Sequence, residues 1–184
     1  MKKILLAGLI AVLFISCSNT ISKAEAEKII KDCIEEHPKH GKIYVWKGRN
    51  TFYKDSILHN ERLDVLKKLG EEGYLKLDLE EQRDTCTIYN LTLNNKSKEY
   101  TLKSYEKTGW NIETDYEVLK TYDYEFVSIK EIWKVPKTKA TLVTVVYKKV
   151  NKTPFFELSE DKTDFKTVKE TIWESSYDYW KSCD

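Results

Sequence analysis

The chain predicts an α+β fold in which two N-terminal helices are followed by a mainly antiparallel, twisted β-sheet. Three observations carry that prediction. Apolar side chains at Ala26, Ile29, Ile30, Cys33 and Ile34 keep the spacing of one helix face, and Leu58, Leu63, Val65, Leu66 and Leu69 repeat it. From Gly73 onward the apolar period falls to two, and it stays there almost to the C-terminus.

The elements follow in order. Ser22 and Glu25 form a capping box, each satisfying an end amide, and Pro38 stops the first helix near Glu36 or His37. A short strand over 42–46 precedes a second helix, which starts at Asp55 or Ser56 and ends at Gly70, a residue suited to a left-handed cap. Strands are predicted over 74–79 and 87–93, with 94–98 as a hairpin loop returning through Tyr100 and Leu102. A long strand-rich stretch, 116–135, carries Tyr122, Tyr124 and Phe126 on one face before Val127 and Ile129 change sides, which predicts a bulge. Strands over 141–150, 167–173 and 177–181 complete a sheet of five to seven.

Residues 1–17 read MKKILLAGLIAVLFISC: a basic start at Lys2 and Lys3, an apolar run from Ile4 to Ile15, then Ser16 and Cys17. That run is too short to span a bilayer, which takes about 20 apolar residues. The segment Phe14, Ile15, Ser16, Cys17 resembles the lipobox of bacterial lipoproteins, with Phe14 where that family usually has Leu. The resemblance implies cleavage before Cys17, lipidation of its thiol, and attachment to the membrane through N-terminal acyl chains. It also implies the periplasmic side of the cell envelope. Ser18 and Asn19, in place of an Asp retention signal, favour the outer membrane, with the inner membrane as the alternative.

On that reading 1–16 is a signal peptide, 17–22 a lipidated tether, 23–104 a helical and hairpin subdomain and 112–184 a β-rich subdomain. The pattern from Leu58 through Gly70 and Gly73 to Leu79, with the hairpin after it, resembles the helix and wing of a winged-helix module over 23–103. It lacks that family's basic recognition helix, since Glu61 and Asp64 accompany Arg62, Lys67 and Lys68. The whole chain holds 31 basic and 30 acidic residues, and loss of Lys2 and Lys3 with the signal leaves 29 against 30. A near-neutral domain argues against nucleic acid, which demands a strongly basic face.

After Cys17 three cysteines remain, so one internal bridge at most forms within the mature chain. Cys33 falls on the apolar stripe of the first helix, where a free thiol packs as a small hydrophobe. Cys86 with Cys183 is therefore the preferred pair, and three unbridged thiols is the alternative.

The chemistry-bearing motifs are sparse. No phosphate-cradling glycine spacing, nucleophile elbow, HExxH or paired-cysteine metal motif occurs, so no catalytic residue and no cofactor is assigned. Cys33, Glu36, His37 and His40 have loose zinc spacing, but a core-facing Cys and two histidines flanking Pro38 account for them, and no metal is assigned. Trp110, in a polar turn, and Phe155 with Phe156 are candidate surface contacts. Trp46, Trp133, Trp173 and Trp180 lie in strand-like stretches and are expected in the core. The function expected is a non-catalytic, envelope-anchored role in binding or scaffolding another envelope protein. The alternatives are a glycan or small-ligand binder, an envelope hydrolase and an immunity-type inhibitor.

Overall fold

Ser22 opens the first helix as expected, its Oγ accepting a hydrogen bond from the Glu25 amide at 3.2 Å. The computed structural model describes residues 21–105, 115–174 and 180–181. Helix α1, Lys23–Glu36, buries Ala26, Ile30 and Cys33 and closes with the His37 amide on the Cys33 carbonyl. Strand β1, His40–Trp46, runs almost directly into β2, Gly48–Tyr53. Gly48 has φ of +76°, a conformation that costs glycine little, and the chain changes sheets there. Helix α2, Ile57–Glu71, is capped by Ser56 and buries Leu63, Leu66 and Leu69. It passes through Gly70. The left-handed residue that ends the turn is Gly73, with φ of +81°, and the Tyr74 amide bonds back to the Leu69 carbonyl.

The strands that follow are β3 (Leu75–Gln82), β4 (Cys86–Leu93), β5 (Thr101–Tyr105), β6 (Tyr116–Lys134), β7 (Ala140–Val150), β8 (Phe165–Glu174) and β9 (Trp180–Lys181). They form two antiparallel sheets. One has the order β2–β4–β3, and the other β1–β6–β7–β8–β9 with β5 also paired to β6. The α+β class holds, but the helices do not both precede the sheets: between them stand β1, expected as a strand over 42–46, and β2, which was not expected. Residues 94–100 do not make a hairpin loop: Asn95–Tyr100 is a 3₁₀ turn, and β5 leaves the three-stranded sheet to pair with the start of β6. The pairings of β1 and β5 with β6 thus cross the expected boundary between 104 and 112.

Two apolar cores result. One lies between α2, the three-stranded sheet and the first part of β6, and holds Phe52, Leu63, Leu66, Leu75, Leu91, Leu119 and Phe155. The other lies under α1 and holds Ile21, Ala26, Ile30, Ile129, Val143, Val145, Tyr147 and Ile172. Strand β6 serves both. It accommodates them with extra residues: Thr121 has no partner in β1, and Val127 and Lys130 have none in β7. The irregularity after Phe126 is the side change expected from the sequence.

Where β1 starts, Gly41 lies against β6 so closely that a Cβ there would overlap the Tyr122 ring and stand 2.5 Å from Thr121 Oγ1. Both neighbours are buried. Gly41→Ala should therefore lower stability by about 1 to 3 kcal/mol through overpacking. Urea unfolding of the two proteins measures it, with the midpoint falling at unchanged slope.

Candidate functional site

Two polar clusters meet near the middle of β6. His40 Nδ1 lies 2.6 Å from Asp123 Oδ1, Lys120 Nζ lies 2.7 Å from the same oxygen, and Asn151 donates to Asp123 Oδ2 at 3.1 Å. Burial pushes the Asp123 carboxyl up, but Lys120, Asn151 and His40 together more than offset that and leave it below the usual range. Asn151 takes φ of +48°, which asparagine tolerates, so its amide reaches the carboxylate.

The second cluster is built around a buried lysine. Lys149 has 0% side-chain exposure and donates to the Asp161 carbonyl at 2.7 Å and to its Oδ2 at 2.9 Å. The Tyr122 and Phe156 rings lie 5.0 and 5.8 Å from its nitrogen. Hydrogen bonds from Thr163, then from Lys149, hold the Asp161 carboxyl well below its usual range. Tyr122 and Tyr124 share a hydroxyl contact at 3.0 Å, and burial first, then that contact, pushes Tyr122 up to about 12. Tyr147 donates to Glu170, which also receives Lys39 at 2.7 Å. Each charge in these clusters has its opposite. The carboxyls of Glu81, Asp123, Asp161 and Asp164 are all held below the usual range by their hydrogen-bond partners and neighbouring charges. The clusters are joints that hold β1, β6, β7 and β8 in register.

Unsatisfied surface lies elsewhere, on the outward face of β1, β6 and β5. Tyr44 and Trp46 alternate with the core residues Ile43 and Val45, and stand 53% and 42% exposed. Tyr116 packs against both, with ring centroids at 5.6 and 4.8 Å, and Tyr105 stacks on it at 4.5 Å. Lys103 Nζ sits 4.5 Å from the Tyr105 ring. Four aromatics across three strands make one continuous apolar face. It is held at its edge by Lys47, which bonds Asp115 at 2.7 Å and is raised by that contact.

The residues singled out from sequence fall in different places. Cys17, Trp110 and Cys183 lie outside the described residues. Cys86 is a free, buried thiol, so the Cys86–Cys183 bridge does not stand. Cys86 belongs to the three-stranded sheet, whereas β9, the described strand next to Cys183 in sequence, belongs to the other. Cys33 is buried as expected but is disulfide-bonded, where a free packed thiol was read. Phe155 and Phe156 are not surface contacts: they are 0% and 6% exposed, with Phe155 packed edge-on to Tyr74 and Tyr100. Among the described residues no three His, Cys, Asp or Glu side chains converge on a metal position. Trp46, Trp133 and Trp173, expected in the core, are all on outward faces. Sequence reasoning missed the Tyr44–Trp46 face, although the i, i+2 aromatics of IYVW were its signal.

No protein-family model, curated protein or solved structure matches this chain.

Two measurements check this account. Asp123, Asp161 and Asp164 have folded-state values below those of an unfolded chain, so below about pH 4 the unfolded state binds more protons. The stability they confer is complete above that range and is lost as pH falls through the folded values. Urea midpoints should drop steeply below about pH 4, and Asp161→Asn should flatten that limb while lowering the midpoint at neutral pH, because Lys149 stays buried without its counter-charge. Thiol alkylation tests the cysteines. Cys86 should react only on unfolding and Cys33 only after reduction, which should cost about 2 to 4 kcal/mol.

Proposed function

We propose that this is a non-catalytic lipoprotein of the bacterial envelope, anchored through Cys17, which binds an envelope protein through the Tyr44, Trp46, Tyr105 and Tyr116 face. The observation that carries the reading is that face. Large exposed aromatics side by side on a rigid sheet are the composition of an interaction hot spot, and leaving them in water is unfavourable by roughly 25 cal/mol per Å². The lipobox-like segment at 14–17 supports the anchor. Among the described residues no helix is long and apolar enough to cross a membrane. The periplasm-facing side of the outer membrane is the location we assign, on the Ser18–Asn19 pair.

Cys17→Ser should abolish acyl labelling and signal processing, and an unchanged membrane-bound product would refute the anchor. A photo-cross-linker placed at Tyr44 in living cells should give one discrete adduct with an envelope protein. Trp46→Ala, with its stability preserved within about 1 kcal/mol, should weaken that association roughly 30-fold. A cross-link to glycan in place of protein would favour the sugar-binding alternative.

A further inference from the structure

The end of β6 lies where the described chain begins. Lys31 Nζ is 5.1 Å from the Phe126 ring, and Ile34 and Glu35 line a hollow with Tyr124 and Val150, so the last turns of α1 lie over the middle of β6. The helix leads back from there to Ala26 and Ile21, which are buried in the cluster that holds Ile129, Ile132, Val143 and Ile172. Ile21 therefore lies toward the end of the sheet where β6 stops and the turn to β7 begins. Four peptide steps separate it from Cys17, a reach of about 14 Å at full extension.

That end has its own chemistry. Trp133 pairs with Leu142, and Trp173 with Ala140, which places both indoles on the face opposite α1, since Val143 and Ile172 point into the α1 core. They are 56% and 49% exposed. The adjoining segment 134–139 reads KVPKTK, with three lysines and no acid. Lys137 and Lys139 are exposed, and Lys137 has φ of +61° in the turn, which is held by the Val135 amide on the Ala140 carbonyl. Indoles settle at the headgroup level of a bilayer, and lysines beside them are drawn to anionic lipid.

We infer that the Trp133–Trp173 end of the sheet, with Lys137 and Lys139, is a docking face for the anionic phospholipid surface to which the chain is tethered. The inference rests on the lipid-anchor reading for its tether. It fixes the pose of the domain: β6 stands away from the bilayer, and the Tyr44–Trp46 face, which pairs with β6 at Tyr116, 17 residues before Trp133, projects on the order of 50 Å from it.

The test uses the exported full chain with its N-terminus established by mass, placed with vesicles of phosphatidylethanolamine and phosphatidylglycerol whose acyl chains are brominated near the headgroup. Tryptophan fluorescence should be quenched. Trp133→Phe with Trp173→Phe should remove most of that quenching, and Trp46→Phe should leave it unchanged. Lys137→Gln with Lys139→Gln should weaken docking about 25-fold, roughly fivefold for each lysine, and added salt should do likewise. An acylated chain whose Trp133 and Trp173 escape quenching would overturn the docking face and leave the anchor standing. Quenching at these positions in a chain without acyl groups would overturn the anchor and leave the face standing.

Discussion

One strand has to satisfy two cores, and the rest of the molecule is arranged around that constraint. Over its first part β6 is hydrogen-bonded to β1 on one side and β5 on the other, and over its remainder β7 is its partner. A flat strand shows each face one fixed set of side chains. β6 instead sends Leu119 into the α2 core and Ile129 into the α1 core, and the extra residues Thr121, Val127 and Lys130 rotate it between them. The rotation leaves a mark at Thr121, whose buried hydroxyl has no hydrogen-bond partner among the described residues. Close approach at Gly41 is the other mark, because β1 must reach β6 where the strand turns.

The polar clusters are best understood as consequences of the same crossing. Where β1 starts and β7 ends, backbone and side chains from several elements converge, and charged groups are drawn into partly dry surroundings. Burying a charge is costly unless its partner comes with it. Lys149 comes with Asp161, Lys39 with Glu170, and Asp123 with both Lys120 and His40. Their satisfaction is an argument about function as well. A group already matched on geometry and charge has little left for a substrate, so the interaction surface is sought where matching is incomplete, on the aromatic faces.

Much of the fold was legible because its signals are local. Ser22 and Ser56 cap the helices that their sequence context announces, and the stripes Ala26–Ile30–Cys33 and Leu63–Leu66–Leu69 are the faces that become buried. The bulge after Phe126 was legible in the side change at Val127. What was not legible is pairing. Nothing in Thr101–Tyr105 states that it prefers β6 to β4, because a strand's period fixes its two faces and not its neighbour. β2 was missed since GRNTFY is polar and its burial rests on Phe52 alone. The tryptophans failed for a related reason: alternation places Trp46 opposite Val45 in sense, but only the tertiary packing tells which of the two faces is covered. The cysteines failed because bridging depends on Cα separation, which spacing in sequence does not encode.

Placement gives the aromatic faces different meanings. Under the proposed anchor, Cys17 would be bound by covalent reach to the Ile21 end of the molecule, and whatever lies at that end would be held near lipid at high local concentration. Trp133 and Trp173 lie there, with Lys137 and Lys139 beside them. Tyr44 and Trp46 pair with the opposite end of β6, a strand's length away. Under the same proposal a surface at the near end would meet headgroups first, and one at the far end would meet what diffuses past. An aromatic platform on three strands, ordered before contact, would lose little side-chain entropy to a partner. The same 19-residue strand that forces the two cores therefore also separates the two aromatic faces.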